Sequence, residues 1–476
     1  MKKSRMIAAL LMLALLLTAE AATVGLPSKL DKDSEYSTTI TVSVYTGEEK
    51  NSSGIAEAPY CVCGEMMEEW RGSHPKVCVT EHKHSVSELN SLAVLGNLPD
   101  IMMLDSKTGQ AYIDKGYVLD LKEYTDGDKK TDSEKLLLDP FTQGEGVYAF
   151  PAYARSFPVI IYDKASFERA GIDETPDQWE EYQSAATLFL DGGYDGLITV
   201  GGGDEGGTAL AASLLSVMLG ERDYASWLAD MKSRNKKAMF TDELFVNAFE
   251  QMYSTLMNGS FRDDFADCTT EKSVQSFIDE RYPAILLSGS SLFGALDKIK
   301  RENKKLYDRL GFANIPGTVD NGSETSVCPV AMTYGFFINA KVKDDTEKLE
   351  ACVDLCKYLT GTEYANRLKK QYGLNAFYEA DEKSIQSFYA DCADPTVTEL
   401  ATFEDTQISA CPVFSQYFNI PVWGALQEET ERMEKRFESK EEKLAAAIEI
   451  PAIMQDRYEK FFIDTELDRL SDKYHR

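Results

Sequence analysis

The chain has 476 residues, of which 43% are hydrophobic and 11% aromatic, and its formal net charge is −29 at pH 7. This composition can fill hydrophobic cores and excludes a disordered chain, while the acidic balance excludes nucleic acid as a partner and disfavours adhesion to anionic membranes. The length is too great for one ordinary core and predicts two domains.

The first 21 residues have the pattern of a signal peptide. Lys2, Lys3 and Arg5 form a basic start, residues 6–17 form an uncharged apolar run, and residues 19–21 (Ala-Glu-Ala) offer a small-residue cleavage pattern. The apolar run is shorter than the roughly 20 residues that a transmembrane helix needs. We therefore predict an exported protein. The first cysteine is Cys61, too far along for the usual lipid-bearing position, so the lipoprotein signal is missing, and an extracellular, a cell-surface and a periplasmic location all stay open.

The next segments predict a parallel α/β sheet. Residues 22–37 are polar and lack periodicity, which indicates a linker. From Thr38, the alternation of Ile40, Val42 and Val44 with polar residues predicts a strand. The strands and helices predicted after it, up to a strand at Ile101–Leu104, alternate along the chain as parallel α/β sheets require.

Further helices and strands continue this pattern. Asp163 is placed to cap a helix, and Gly171 is placed to end it in a left-handed conformation. A second helix is predicted after the capping box that starts at Thr175. A strand is predicted at Ala284–Leu287, and beyond Tyr334–Ile338 the chain is predicted to be almost wholly helical.

The nine cysteines do not define a disulfide framework, because their number is odd and their spacing irregular. Cys352 and Cys356 lie on an apolar stripe of helical spacing, which predicts buried thiols in a core helix. Cys61 and Cys63, near Cys78, are the candidates for a bridge.

Two segments partly match known metal-binding and phosphate-binding motifs, but each lacks residues that its motif requires. Three histidines lie near Cys78, yet neither a CxxC pair nor an HExxH motif accompanies them, so we expect no metal. The glycine-rich segment 201–208 lacks the lysine of a phosphate-binding loop, and its Asp204 and Glu205 would repel phosphate. We expect no cofactor.

Polar and aromatic residues near strand ends indicate a binding site, with a sugar as the expected ligand. Aromatic faces pack against the C–H side of pyranose rings, and carboxylates and amides reach the hydroxyls. Open α/β sheets bind ligands beyond the carboxyl ends of their strands. The candidate ligand-binding residues are Tyr45, Glu48, Asp105, Tyr153, Arg155, Trp227, Ser290, Tyr334 and Trp423.

Five short segments occur in an order and spacing typical of one protein family. They are Gly96–Ile101 (G-x-x-P-D-hydrophobic), Gly116–Leu121, Gly146–Pro151, Ile161–Trp179 and Phe277–Leu287. Glu280 stands near the place where the last segment usually has glycine. Together they resemble the extracellular solute-binding proteins of ABC importers, the group that includes maltose-binding protein. The likeness runs from about Thr38 to Phe462.

The resemblance implies a fold class: α/β, with two lobes like those of periplasmic binding proteins, three interlobe crossings and a largely helical C-terminal part. The crossings are expected near Arg155–Ile160, Arg281–Pro283 and Gly335–Ile338. The lobes are expected at 38–154 plus 284–335 and at 156–281 plus 338–468, with a tail at 469–476.

The resemblance also implies a function. The protein would close by a hinge motion on a small solute, a sugar or an oligosaccharide, and deliver it as a monomer to an ABC transporter permease. Two alternatives stay open. One is a ligand sensor that presents its closed form to a membrane receptor, and the other is a secreted carbohydrate-active enzyme that uses a pair of carboxylates.

Overall fold

The structure is a computed structural model. It describes the residues 36–44, 58–125, 137–152, 155–156, 158–173, 175–176, 179–201, 226–227, 230, 239–257, 260–262, 264–265, 268–287, 290–314, 331–332, 334–405, 424–437 and 439–460. The predicted signal peptide, the C-terminal tail and all but two residues of the predicted linker lie outside these ranges.

Thirteen strands occur in the described part of the chain. They are β1 (Thr38–Val44), β2 (Val77–Lys83), β3 (Ile101–Asp105), β4 (Thr142–Gln143), β5 (Gly146–Val147), β6 (Phe150–Pro151), β7 (Arg155–Ser156), β8 (Val159–Asp163), β9 (Ile198–Val200), β10 (Ala284–Leu287), β11 (Leu310–Ala313), β12 (Ala331–Met332) and β13 (Tyr334–Ile338).

The described helices connect and cover these strands. They are α1 (Ala58–Ser73), α2 (Val86–Leu95), α3 (Ser106–Asp114), α4 (Lys164–Arg169), α5 (Trp179–Asp191), α6 (Glu243–Met257), α7 (Thr270–Ile278), α8 (Ser290–Glu302), α9 (Lys304–Tyr307), α10 (Thr346–Thr360), α11 (Thr362–Tyr372), α12 (Glu382–Asp391), α13 (Pro395–Asp405), α14 (Gly424–Arg436) and α15 (Lys440–Ala447). A further helical stretch covers 450–460. Among the helices described here, none is both long and apolar enough to cross a membrane.

The first sheet has five strands in the order β2-β1-β3-β13-β6. Strands β1, β2 and β3 are parallel, whereas β13 runs antiparallel to both of its neighbours. Asp100, in the G-x-x-P-D segment, ties this sheet together. Its carboxylate accepts hydrogen bonds from the Thr41 backbone N at 2.8 Å and the Thr41 hydroxyl at 2.9 Å, and Lys348 of α10 lies 3.3 Å away.

The second sheet has four strands in the order β11-β8-β10-β9. Strand β8 is antiparallel to β10 and β11, and β9 is parallel to β10. One face, including Ile160 and Leu286, packs into a core with α5 and α6. The opposite face, including Ile161 and Ile285, belongs to the same continuous core as the first sheet.

The thiols of α10 are buried as the sequence predicts, since Cys352 and Cys356 are both 0% exposed. The candidate bridge near the start of the chain is not formed, because Cys61, Cys63 and Cys78 are free. Burial raises the pKa of Cys63 to about 12, so this thiol stays protonated and unreactive at neutral pH.

Strand pairing corrects the predicted division into lobes. Strands β10 and β11 were expected with residues 38–154, but they hydrogen-bond to β8 in the second sheet. Helix α10 was expected in the other lobe, but it packs on β1, β6 and β13 of the first sheet. The prediction failed because paired strands lie far apart in the sequence, and local sequence patterns do not specify which strands pair.

Two of the three predicted crossings are likewise wrong. Arg281–Pro283 leads into β10 without leaving the second sheet, and Gly335–Ile338 lies inside β13 of the first sheet. The chain does pass from β6 to β8 across the predicted segment Arg155–Ile160. It returns between β11 and β13, through β12. A third passage leads from α11, which packs on α1 and α10, to α13, which packs on β11.

Glu280 is the only non-glycine residue with a positive φ among those described, at 55°. The residue lies near the position where the family resemblance expects glycine, and glycine adopts this conformation without steric cost. Its carboxylate lies 3.1 Å from the Arg309 guanidinium, and Arg309 also pairs with the buried Asp163 at 2.6 Å. An ion pair therefore accompanies the strained backbone.

Candidate functional site

A two-stranded ribbon joins the two sheets. Strand β7 pairs antiparallel with β12, so that Ser156 faces Ala331 and Arg155 faces Met332. On the β7 side the chain runs from Ala152, at one end of the first sheet, through the ribbon to Pro158, at one end of the second sheet. Because so few residues separate the two sheets on this side, these two sheet ends must lie close to each other.

The sheet ends that meet at the ribbon are the carboxyl ends of the parallel strands. In the first sheet the end of β3 lies beside the start of β13, with Asp105 paired to Tyr334. In the second sheet the end of β10 lies beside the start of β8, with Leu287 paired to Val159. Ligands of open α/β sheets bind at such ends. The candidate functional site is therefore the space between them.

Asp105 and Tyr334 are brought together at this place. Asp105 ends β3 and caps α3, since its carboxylate oxygens accept hydrogen bonds from the Thr108 backbone N at 2.7 Å and the Thr108 hydroxyl at 2.8 Å. Each carboxylate oxygen keeps a further lone pair that could accept from a ligand hydroxyl. Tyr334 is 6% exposed, and its backbone oxygen accepts from the Ala152 N at 3.0 Å.

His84 and Ser43 belong to the same sheet end, although the sequence did not single them out as ligand residues. His84 directly follows β2, and its Nδ1 lies 3.0 Å from the hydroxyl of Ser43 on β1. Burial, and then the neighbouring His82, lower the pKa of His84, while Glu88 opposes them. Because Nδ1 is used in this contact, Nε2 is the ring nitrogen that could donate to or accept from a ligand hydroxyl. The sequence could have indicated these two residues by their position, since both stand at the ends of adjacent predicted strands.

At the second sheet, two backbone segments approach each other closely, and two helices begin. A Cβ at Gly201, after β9, would fall 2.3 Å from the backbone N of Thr270, so only glycine fits there. Helix α7 begins at Thr270, with Thr269 as its cap, and helix α8 begins at Ser290 after β10. The first N–H groups of a helix have no partner inside it. Both helix starts could therefore donate to polar groups of a ligand.

Trp227 lies elsewhere, in the core of the second sheet. It is 5% exposed, its ring stacks on Phe245 with a centroid distance of 5.3 Å, and Phe240 meets its edge at 5.5 Å. Its Nε1 donates to the Met239 backbone oxygen at 3.1 Å. Because the indole is covered by protein, we do not expect Trp227 to contact the ligand.

The remaining candidates are only partly placed. For Arg155 and Ser290 the structure describes the backbone, in β7 and at the start of α8. Tyr45, Glu48, Tyr153 and Trp423 lie outside the described residues and stay predictions. In the described ranges, no group of three or more His, Cys, Asp or Glu side chains could hold a metal ion.

Comparison with known proteins gives a family match and a shared fold. The model of a family described as "Bacterial extracellular solute-binding protein" matches residues 76–383. No curated protein matches the sequence significantly.

Several solved structures superpose on nearly the whole chain. A "Chitin oligosaccharide binding protein" has a TM-score of 0.62 at 15% identity, over 89% of this chain and 98% of that one. A probable secreted solute-binding lipoprotein from Streptomyces coelicolor has a TM-score of 0.62 at 19% identity, over 90% and 100%. The GacH receptor of Streptomyces glaucescens, solved unliganded and with acarbose, has a TM-score of 0.61 at 16% identity, over 89% and 98%. At these identities the likeness establishes the fold.

Proposed function

Since the chain belongs to the family of bacterial extracellular solute-binding proteins, we propose that it captures a sugar or an oligosaccharide between its two sheets and delivers it to an ABC transporter permease. The observation that carries this proposal is the meeting of two sets of carboxyl strand ends at one short ribbon, β7–β12. Proteins of the same fold are described as binding chitin oligosaccharide and acarbose, which supports a saccharide as the ligand.

The ligand would lie between polar groups of both sheets. On the first sheet, Asp105 and the His84–Ser43 pair offer acceptors and donors for hydroxyl groups. On the second sheet, the helix starts at Thr270 and Ser290 offer backbone N–H groups. A saccharide presents many hydroxyls that both donate and accept, so it can satisfy both surfaces at once. Among the predicted residues, Tyr334, Arg155 and Ser290 stay candidates for contacts at the ribbon and the helix start.

Closure would be a rotation of the sheets about the ribbon. Strands β7 and β12 have two residues each, so few backbone hydrogen bonds resist a change of angle there. Closing would remove the ligand from water and strengthen its polar contacts. Binding and release in this way need no catalytic group, and we propose that the protein is not an enzyme.

The place of action follows from the same reasoning. The family is described as extracellular, and residues 1–21 have the composition of a signal peptide. We propose an exported protein that meets its solute outside the cytoplasm.

A thermal-shift screen followed by calorimetry tests the proposal. The panel contains monosaccharides, oligosaccharides, peptides and polyamines. A ligand present at 100 times its Kd adds about 2.7 kcal/mol to the free energy of unfolding, so at least one saccharide is expected to raise Tm clearly. A response to a peptide or polyamine with none to any saccharide would contradict the carbohydrate assignment and leave the fold intact.

The delivery step needs a separate experiment. Deletion of this chain in its own host is expected to abolish uptake of the saccharide that binds, with uptake restored when the chain is supplied again. Unchanged uptake after deletion would show that the partner is not a permease for that solute.

A further inference from the structure

Lys369 is a fully buried lysine at the end of α11. Its side chain is 1% exposed, and its Nζ donates to the Asp405 carboxylate at 2.6 Å and to the Gly373 backbone oxygen at 3.2 Å. Lysine is almost never buried to this degree unless it is paired. The ion pair with Asp405 is therefore a requirement for this packing.

Asp405 collects several donors from different segments. Besides Lys369, the Asn375 side chain donates to its Oδ1 at 2.9 Å and the Tyr389 hydroxyl donates to its Oδ2 at 2.8 Å. Burial raises the pKa of Asp405, but the hydrogen bonds from Lys369, Asn375 and Tyr389, with the Lys369 charge, outweigh burial and hold the pKa below its usual value. The carboxylate is thus ionised at neutral pH.

The two partners stand on helices that pack on different sheets. Helix α11 packs on α1 and α10, which cover the first sheet, and its Tyr364 hydroxyl donates to the Ala152 backbone oxygen at 3.4 Å. Helix α13 packs on β11 of the second sheet, where the rings of Phe403 and Phe312 lie 6.4 Å apart. The ion pair therefore bridges the two sheets where the chain passes between them for the third time.

Its position along the helices places it on the ribbon side of the molecule. Helix α13 runs alongside β11 in the same direction, because its start contacts Tyr307, before β11, and Phe403 lies beside Phe312, near the end of β11. Asp405 is the last residue of α13 and so lies toward the sheet end that meets the ribbon. A change in the angle between the sheets would move Lys369 relative to Asp405.

We propose that Lys369 and Asp405 are a positioning pair for the hinge, which holds α11 against α13 and so sets the angle between the sheets. The expected effect of the pair on ligand affinity rests on the proposed function, whereas its expected effect on the unliganded molecule does not. Separation of the pair would leave a buried lysine and a half-buried carboxylate uncompensated, which is costly. The pair thus restricts the sheets to a narrow range of angles.

The test compares two ion pairs that are alike in length and differ in placement. Lys369→Met removes the ion pair between α11 and α13, while the hydrogen bonds from Asn375 and Tyr389 to Asp405 can remain. Arg309→Met is the control, because Arg309 pairs at 2.6 Å with the buried Asp163 and both residues stand at the start of β11 and the end of β8, within the second sheet. Both variants are expected to lower Tm, since Lys369→Met leaves Asp405 without its cation and Arg309→Met leaves Asp163 and Glu280 without theirs.

Only Lys369→Met is expected to change the angle between the sheets. Small-angle X-ray scattering of the unliganded variant should give a shifted or broadened distance distribution, and the Kd of the saccharide should rise about tenfold. The double variant Lys369→Met/Asp405→Asn, which leaves no unpaired charge, should regain Tm but keep the altered scattering and the weaker binding. A lower Tm alone therefore does not account for the expected result.

Wild-type scattering and wild-type affinity in Lys369→Met would overturn the proposal, as would equal changes in Arg309→Met. If the wild-type protein binds no saccharide, the proposed function fails. The scattering of the unliganded variants still decides the role of the pair in that case.

Discussion

Replacing Glu280 by glycine and by alanine separates the cost of its backbone conformation from the value of its ion pair. Both variants lose the carboxylate, which is 44% exposed and pairs with Arg309, a contribution of about 0–1 kcal/mol that cancels in the comparison. At a φ of 55° alanine keeps a steric cost of about 1–2 kcal/mol, which glycine does not have. Glycine also gives the unfolded chain more conformational entropy than alanine does, which lowers the stability of the glycine variant by roughly 0.5–1 kcal/mol. Glu280→Gly should therefore be more stable than Glu280→Ala by about 1 kcal/mol.

The same two substitutions at Glu250 are the control. Glu250 is exposed in the middle of the regular helix α6, where glycine is less stable than alanine by about 1 kcal/mol. The order of the two variants should thus be reversed between the sites. Thermal unfolding measures it, because about 1 kcal/mol shifts Tm by roughly 2–4 °C in a domain of 150–250 residues. Equal or greater stability of Glu280→Ala would refute the left-handed conformation at this residue.

Two further predictions concern the core and the candidate site. Trp227→Phe should lower the free energy of unfolding by about 2 kcal/mol, because it removes the hydrogen bond to Met239 and leaves a small cavity. Calorimetry should find an unchanged Kd for the saccharide. Weaker binding with unchanged stability would show instead that Trp227 contacts the ligand. The pKa of His84 is lower in the folded protein than in the unfolded chain. As the pH falls below about 6.5, this imidazole is therefore protonated in the unfolded chain before it is protonated in the folded protein. The free energy of unfolding should thus decrease between pH 7.5 and pH 5.5. Tm measured at both pH values should show a smaller drop for His84→Gln, and an identical drop would contradict the role of this imidazole.

Local features of the fold could be predicted because neighbouring residues determine them. Asp163 caps α4 as expected, accepting from the Ala165 backbone N at 3.2 Å, and Gly171 has a φ of 77°. The alternation from Thr38 to Val44 forms β1. The α/β fold class with two lobes is confirmed by superposition on solute-binding proteins over 89–90% of the chain.

The assignment of segments to lobes was wrong because it depends on partners far apart in sequence. Leu286 of β10 pairs with Ile160 of β8, and no local pattern distinguishes this partner from a strand of the first sheet. Strand β13 is buried along its whole length, and such a continuous apolar run fits several places in a fold. Its interpretation as a crossing followed from the order of segments alone.

The candidate site could be predicted as a set of strand ends and not as a geometry. Asp105 and Tyr334 were both expected near a ligand, but their pairing across β3 and β13 depends on a register that only the structure gives. His84 was set aside with the possible metal ligands, although its contact with Ser43 places it at the same sheet end. Trp227 was chosen as an aromatic residue, and an aromatic side chain in a core has the same sequence signal as one in a cleft.

The most direct test of the central claim is a calorimetric titration with the saccharide that raises Tm most, followed by recovery of the bound sugar. We predict one binding site per chain and recovery of the saccharide unchanged after prolonged incubation. Absence of heat with every saccharide that is titrated, or conversion of the sugar into products, would contradict the account of this chain as a saccharide-binding protein.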